Sequence, residues 1–313
     1  MMNTSAMTDE ARRQHALDRY RIVGSPPDDA YQDIVQVAAS LCDTPIALIS
    51  LLDRNRQWFK ARVGLEAQQI ERSQAVCDYA IRQPGQLLEI PNLAEDPRFA
   101  DMPLLVNGDI SARFYAGMPL VTGEGIALGT VCVLDIAPRL LNDTQREGLH
   151  ALGRMTMRLL EERLHALQRE REAILQPHQP TDVQHTDADS RYWVVILEVQ
   201  ELAALADQQS ERLLGSALQQ LDRTLTSYVQ DGGSDSVDRA TEHAEFIVML
   251  HGTDAERKLH GLRQIAARQR ALGLTVLMGD AEATCADEPI GQVFMRAEAA
   301  LSGEKDRYQQ NTT

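Results

Sequence analysis

Residues 113–135 read RFYAGMPLVTGEGIALGTVCVLD, and this stretch decides how the first half of the chain is built. Two apolar runs, 113–121 and 127–134, flank Gly123-Glu124-Gly125, the turn chemistry of a β-hairpin. Further upstream, 46–52 (IALISLL) is a nearly continuous apolar run, the pattern of a strand buried on both faces. Residues 58–63 read as its partner, joined through the polar turn 53–56. Over 29–42, Ile34, Val37, Ala38 and Leu41 recur at helical spacing, and Thr44-Pro45 ends that helix. A helix is expected over 73–82 and a short strand over 87–90, while 96–109, with two prolines, reads as a loop or broken helix. The sum is an α+β domain on one antiparallel sheet flanked by helices.

Downstream, Asn142 and Gln145 have the spacing of a capping box and open a connector helix over 145–176. Met157, Leu160, Leu164, Leu167 and Ile174 form its apolar stripe, interrupted by Arg171. That stripe either packs on its own domain or forms the seam of a parallel coiled coil joining two protomers. The second reading is preferred, because the stripe outlasts what the domain's sheet can cover, and it predicts a homodimer. Residues 177–190, with two prolines and no apolar periodicity, read as a flexible linker. From 191 to 313, strands at 192–199, 245–251 and 274–278 alternate with helices, which implies a sheet with helices on its face. Residues 1–18 are expected to be a flexible leader with a short helical stretch.

The net charge is −15, shared by both halves of the chain, so phosphate backbones are repelled and nucleic acid is a poor partner. No apolar run approaches the roughly 20 residues that span a bilayer, and the polar start lacks a secretory h-region. A cytoplasmic protein, away from membranes, is expected. The four cysteines (Cys42, Cys77, Cys132, Cys285) include no CxxC pair, so no metal site or cofactor is expected of them.

Several blocks of the first domain, taken in order, resemble GAF domains over residues 19–165. They are 53–60 (DRNRQWFK), 96–99 (DPRF), 113–120 (RFYAGMPL) and 127–135 (ALGTVCVLD) followed by Pro138-Arg139. The resemblance implies a small molecule held between the sheet and its covering helices and loops. Trp58, Cys77, Tyr79, Arg113 and Tyr115 are the pocket candidates. Each also has a structural reading: Trp58 and Tyr115 as core aromatics, Arg113 as a partner of Asp135 or a loop carboxylate. As a pocket residue, Arg113 suits an anionic ligand. Around Cys77 the segment SQAVCDY lacks the Cys-His pair of bilin-binding relatives. Nothing in the sequence marks a lowered thiol pKa either, so neither bilin attachment nor thiol chemistry is expected.

Residues 191–313 resemble GGDEF domains, the diguanylate cyclases, as a skeleton. Those enzymes join two GTP molecules into cyclic di-GMP, chemistry that needs metal ions between carboxylates and phosphates. Here the signature falls on Glu242, His243, Ala244, Glu245 and Phe246. Two glycines are replaced by bulkier, polar residues, and the metal-binding aspartate by Ala244. The first-strand acids fall on Glu198 and Gln200. The resemblance therefore implies a degenerate domain without catalytic residues, acting by binding or by contact with a signalling protein. A weakly active cyclase, or a GTP or cyclic di-GMP binder without turnover, is the alternative.

Overall fold

Every residue of β1 (Ile46–Leu52) is buried, as its apolar run predicts. The computed structural model describes residues 4–100, 102, 111–176, 192–202, 205, 211–230, 235–240, 244–285 and 287–310. The chain divides into two units, 1–23 with 27–164 and 24–26 with 165–313.

In the first unit β1 is joined by β2 (Arg56–Val63), β3 (Gln69–Glu71), β4 (Leu88–Ile90), β5 (Phe114–Val121) and β6 (Ala127–Asp135). The order is β3-β2-β1-β6-β5-β4, with every neighbouring pair antiparallel. The helices are α1 (Thr4–Arg19), α2 (Asp29–Cys42), α3 (Val76–Ala80) and α4 (Asp143–Leu175). Asn142 and Gln145 close the expected capping box at the start of α4, each backbone N–H donating to the other's side-chain oxygen at 3.0 and 2.9 Å.

Side-chain alternation splits this unit into two cores. Ala47, Ile49, Leu51, Phe114 and Val131 face Leu17 of α1, Ile34 and Val35 of α2, and Leu149 and Leu160 of α4. Leu48, Leu52, Phe59, Tyr115, Cys132 and Leu134 face Val76 and Cys77 of α3. Each fully buried aliphatic or aromatic side chain contributes about 1.5–3 kcal/mol relative to exposure.

The structure corrects the coiled-coil seam. Leu160 and Leu164 lie inside the first core and Met157 packs on it, so these residues are not free to meet a second protomer. Leu167 is buried as well, and Ile174 packs within the second unit. The cover missing from the sequence reading is α1. This segment, read from the sequence as a flexible leader, packs against the same core as α4 through Ala16 and Leu17, and Tyr20 just past its end joins them. Tyr20 donates to Glu161 at 2.8 Å, and the Arg163 guanidinium donates to the carbonyls of Tyr20 and Arg21. The unit boundary falls inside α4, between Leu164 and His165.

The second unit contains β7 (Tyr192–Val199), α5 (Glu211–Val229), β8 (Ser236–Ala240), β9 (Glu245–His251), α6 (Ala255–Gln269), β10 (Val276–Glu282) and α7 (Ile290–Gln310). Its antiparallel sheet runs β10-β7-β9-β8, the split βαβ arrangement of ferredoxin-like folds. Leu221 and Leu225 of α5 and Leu262 of α6 cover one face. Val293 and Leu301 of α7, with Leu175 at the end of α4, cover the other. The linker expected over 177–190 lies outside the described residues.

Arg72 pins α1 to the sheet by gripping Glu10 at 2.6 Å, and Arg13 donates to the same carboxylate. Burial works against the Glu10 charge, but hydrogen bonds and attraction from Arg13 and Arg72 prevail and lower its pKa from 4.5 to about 2. The folded value lies below the unfolded one, so the contribution is complete above pH 4.5 and is lost as the pH falls through about 2. Urea midpoints followed down this range should fall more steeply for the wild type than for Glu10→Gln. Parallel curves would remove Glu10 from the acid response.

Candidate functional site

The second core of the first unit holds a polar centre that its strands build two residues at a time. Ser50 on β1 and Thr130 on β6 are cross-strand partners, and Cys132 follows Thr130 on the same face. Tyr115 comes from β5 and Gln57 from β2. Across from them, α3 presents Cys77.

Cys77 Sγ lies 3.2 Å from Thr130 Oγ1, 3.3 Å from Tyr115 Oη, 3.3 Å from Gln57 Nε2 and 3.4 Å from Ser50 Oγ. Ser50 and Thr130 also bond each other at 3.0 Å, so one of their two hydroxyl hydrogens bridges the pair and the other remains for the sulfur. Tyr115 and Gln57 supply further donors. Cys132 Sγ stands 3.8 Å away.

Burial alone pushes the Cys77 thiol up, but hydrogen bonds from Cys132, Ser50, Thr130 and Tyr115 outweigh it and hold the group below the ordinary thiol range. The bond to Cys77, then burial, drives Cys132 well above that range, so it keeps its proton. Burial and the neighbouring sulfurs raise Tyr115 likewise, which keeps its hydroxyl a donor. The thiol environment is the feature that sequence reading missed. Its signal was present as Ser50 and Thr130, two hydroxyls inside otherwise apolar strands, and in the alternate spacing of Gln57 and of Cys132.

A cavity of about 20 Å³ opens beside the sulfur, room for one water-sized molecule. Gln57, Cys77, Tyr115 and Cys132 give it polarity; Leu48, Phe59, Val76 and Leu134 form apolar wall, and half-buried Ile70 and Gln74 complete the lining. Its lining includes no Asp, Glu, Lys, Arg or His. Gln57 Oε1 is buried with no hydrogen-bond partner.

The structure unites two of the five pocket candidates, Cys77 and Tyr115, and moves the other three. Trp58 packs in the opposite core with the helices, because β2 alternates and Gln57 and Phe59 take the cavity face. Arg113 is exposed; its backbone is engaged, the N–H donating to Asp135 O at 2.7 Å, while Asp135 pairs with Arg139. The anionic ligand expected from Arg113 therefore loses its basis. Tyr79 stacks edge-to-face on Phe99 at 4.8 Å and carries the Arg82 guanidinium on its ring.

Tyr115 reaches the sulfur by folding along its own strand over Gly117, the residue opposite Cys132. A Cβ at position 117 would stand 2.1 Å from the Tyr115 hydroxyl. The glycine of the RFYAG block is thus the seat of the tyrosine.

In the second unit Glu198 and Glu245 face each other across β7 and β9. Like charges opposed in this way need compensation. Arg171 supplies it for Glu245, with contacts of 2.9 and 3.1 Å to the two carboxylate oxygens, and also donates to Glu298 at 2.9 Å. Lys305 pairs with Glu198 at 2.8 Å. Ala244 is buried in a left-handed turn conformation (φ 48°), and Phe246 is core. Glu242 and His243 lie outside the described residues. Among the described residues no three of His, Cys, Asp and Glu gather as a metal site.

Residues 26–160 match the GAF domain family. This stretch is a GAF domain. A cyclic di-GMP phosphodiesterase of Pseudomonas aeruginosa is 44% identical over 131 residues, which span 42% of this chain and 22% of that protein. Among solved structures, the GAF domain of an Acinetobacter phosphoenolpyruvate-protein phosphotransferase aligns at 16% identity, covering 53% of this chain and 97% of that one, with TM-score 0.38. The blue-light-absorbing PixJ GAF domain of Thermosynechococcus elongatus aligns at 16% identity, covering 53% and 98%, with TM-score 0.39. The assignment rests on the family match and the 44% identity.

Gly117→Ala should force Tyr115 off Cys77 and cost the GAF domain about 1–3 kcal/mol, the usual range for overpacking. Urea unfolding checks this, and an unchanged midpoint would show that the tyrosine seat is dispensable.

Proposed function

We propose that this chain is a signal-transduction protein in which the GAF domain senses a small uncharged molecule and a catalytically inactive GGDEF-like domain delivers the output by binding or protein–protein contact. The observation that carries the second half is the fate of Glu245. It is the acid retained in the degenerate signature, and both its oxygens are engaged by Arg171 rather than open to a metal ion. Glu198, the retained acid of the first strand, is paired with Lys305 through Oε1. Ala244 offers no ligand where the cyclases carry a metal-binding acid. These acids act as counter-charges for buried cations, and removal of one partner from such a pair is costly.

The sensing half is supported by the small cavity at Cys77, whose lining includes no Asp, Glu, Lys, Arg or His, and by α4. This helix begins in the GAF core and carries, near its end, the arginine that grips Glu245. A ligand that alters the GAF core has a covalent route to the output domain, provided it binds two states of the protein with different affinity. The likeness to a cyclic di-GMP phosphodiesterase supports a place in cyclic di-GMP signalling.

Purified full-length protein incubated with GTP and Mg²⁺ or Mn²⁺ should form no cyclic di-GMP. Calorimetry with GTP and with cyclic di-GMP separates silent nucleotide binding from a pure contact role. Protein-dependent product that persists through stringent purification would overturn the inactive assignment.

A further inference from the structure

Three independent features meet at the GAF cavity. Two thiols stand 3.8 Å apart, one on α3 and one on β6. Four side chains converge on one of them, Cys77, and up to three can donate to it at once. The cavity beside it holds one water-sized molecule and is lined by Gln57, whose Oε1 is a buried acceptor with no hydrogen-bond partner. An occupant that suits this arrangement is small, neutral and bears an O–H hydrogen. A hydroperoxide has these properties, and its O–H can donate to Gln57 Oε1 while an oxygen faces the sulfur.

We propose that Cys77 and Cys132 are a hydroperoxide-oxidised dithiol switch, with Cys77 the site of attack and Cys132 the resolving thiol. This deepens the sensing role proposed for the same pocket and rests on it. In the first step Cys77 thiolate attacks the distal peroxide oxygen. With hydrogen peroxide the S–O bond forms, the O–O bond breaks, and the leaving oxygen takes up a proton and departs as water. Cys77 is now a sulfenic acid, oxidised by two electrons. In the second step Cys132 sulfur attacks Cys77 sulfur, the S–S bond forms, and the S–O bond breaks. The hydroxide released takes the Cys132 proton and leaves as water. One hydroperoxide thus converts two thiols to one disulfide.

Bond formation closes the sulfur separation from 3.8 Å to about 2.0 Å, which draws α3 onto the sheet and removes the cavity. Two other cysteines act as built-in controls. Cys285 is exposed, and Cys42 is buried with its thiol pushed up to about 11 by burial. Simple accessibility would favour oxidation at Cys285.

The test treats the reduced full-length protein with limiting hydrogen peroxide, then denatures it, alkylates the remaining thiols and maps the peptides by mass. The expected product has lost two of its four thiols and two hydrogens of mass, with a Cys77–Cys132 link and Cys285 still alkylated. Cys77 should react about tenfold or more faster than Cys285, following thiolate character rather than exposure. Cys132→Ala should leave Cys77 as a sulfenic acid that a cyclic 1,3-dione captures. Tyr115→Phe, which keeps the ring, should slow the first step. Oxidation of Cys285 ahead of Cys77, or a wild-type product in which Cys132 stays free, would overturn the proposal. Thiol counting reads this chemistry, and thermal shifts with uncharged small molecules read the sensing role, so either can fail alone.

Discussion

The antiparallel sheet of the first unit has to be covered on both faces, and that constraint organises the rest of the unit. β1 and β5 alternate strictly, as does β6 past the irregularity near its start, so there each residue's parity assigns it to one of two cores. The face under α1, α2 and α4 is apolar and carries ordinary packing. The face under α3 departs from it in one place, where Ser50, Thr130 and Cys132 interrupt the aliphatic pattern. A helix of five residues gives α3 little structure of its own, so its position depends on what Cys77 and Val76 meet in the sheet. The donors around Cys77 therefore both anchor the helix and set the chemistry of its thiol.

Much of this was legible in the sequence because the relevant patterns are local. The run 46–52, the hairpin about Gly123-Glu124-Gly125, the Asn142–Gln145 capping box and the strands 192–199 and 245–251 all stand as the periodicity predicts. Less legible was whatever depends on partners distant in the chain. Trp58 and Arg113 sit in segments with the right character for a pocket, yet strand parity sends the first to the opposite core and the second to solvent. Strand β8 (SVDRA) is a half-buried edge strand whose polar residues hide its alternation. The leader α1 has a weak apolar face and owes its order to Arg72, Asp53 and α4 rather than to its own composition. Once α1 is in place, Leu160 and Leu164 are core residues and no longer a vacant stripe.

The second unit shows how a closed sheet accommodates opposed buried acids. Its hydrophobic positions keep a four-stranded sheet closed on both faces, which is a packing requirement alone. Two acids, Glu198 and Glu245, stand beside Lys305 and Arg171, and their opposition across β7 and β9 explains why cations are held there. Arg171, which interrupts the apolar stripe of the connector, is the residue that this arrangement requires.

Burial ordinarily leaves a cysteine inert, but the hydroxyl, amide and thiol donors around Cys77 hold its pKa below the ordinary thiol range. The ultraviolet absorbance of the thiolate, recorded against pH as the difference between wild type and Cys77→Ser, reads that pKa directly. The account predicts an inflexion below the free-thiol value of about 8.5. An inflexion at or above that value, with both proteins folded, would contradict it.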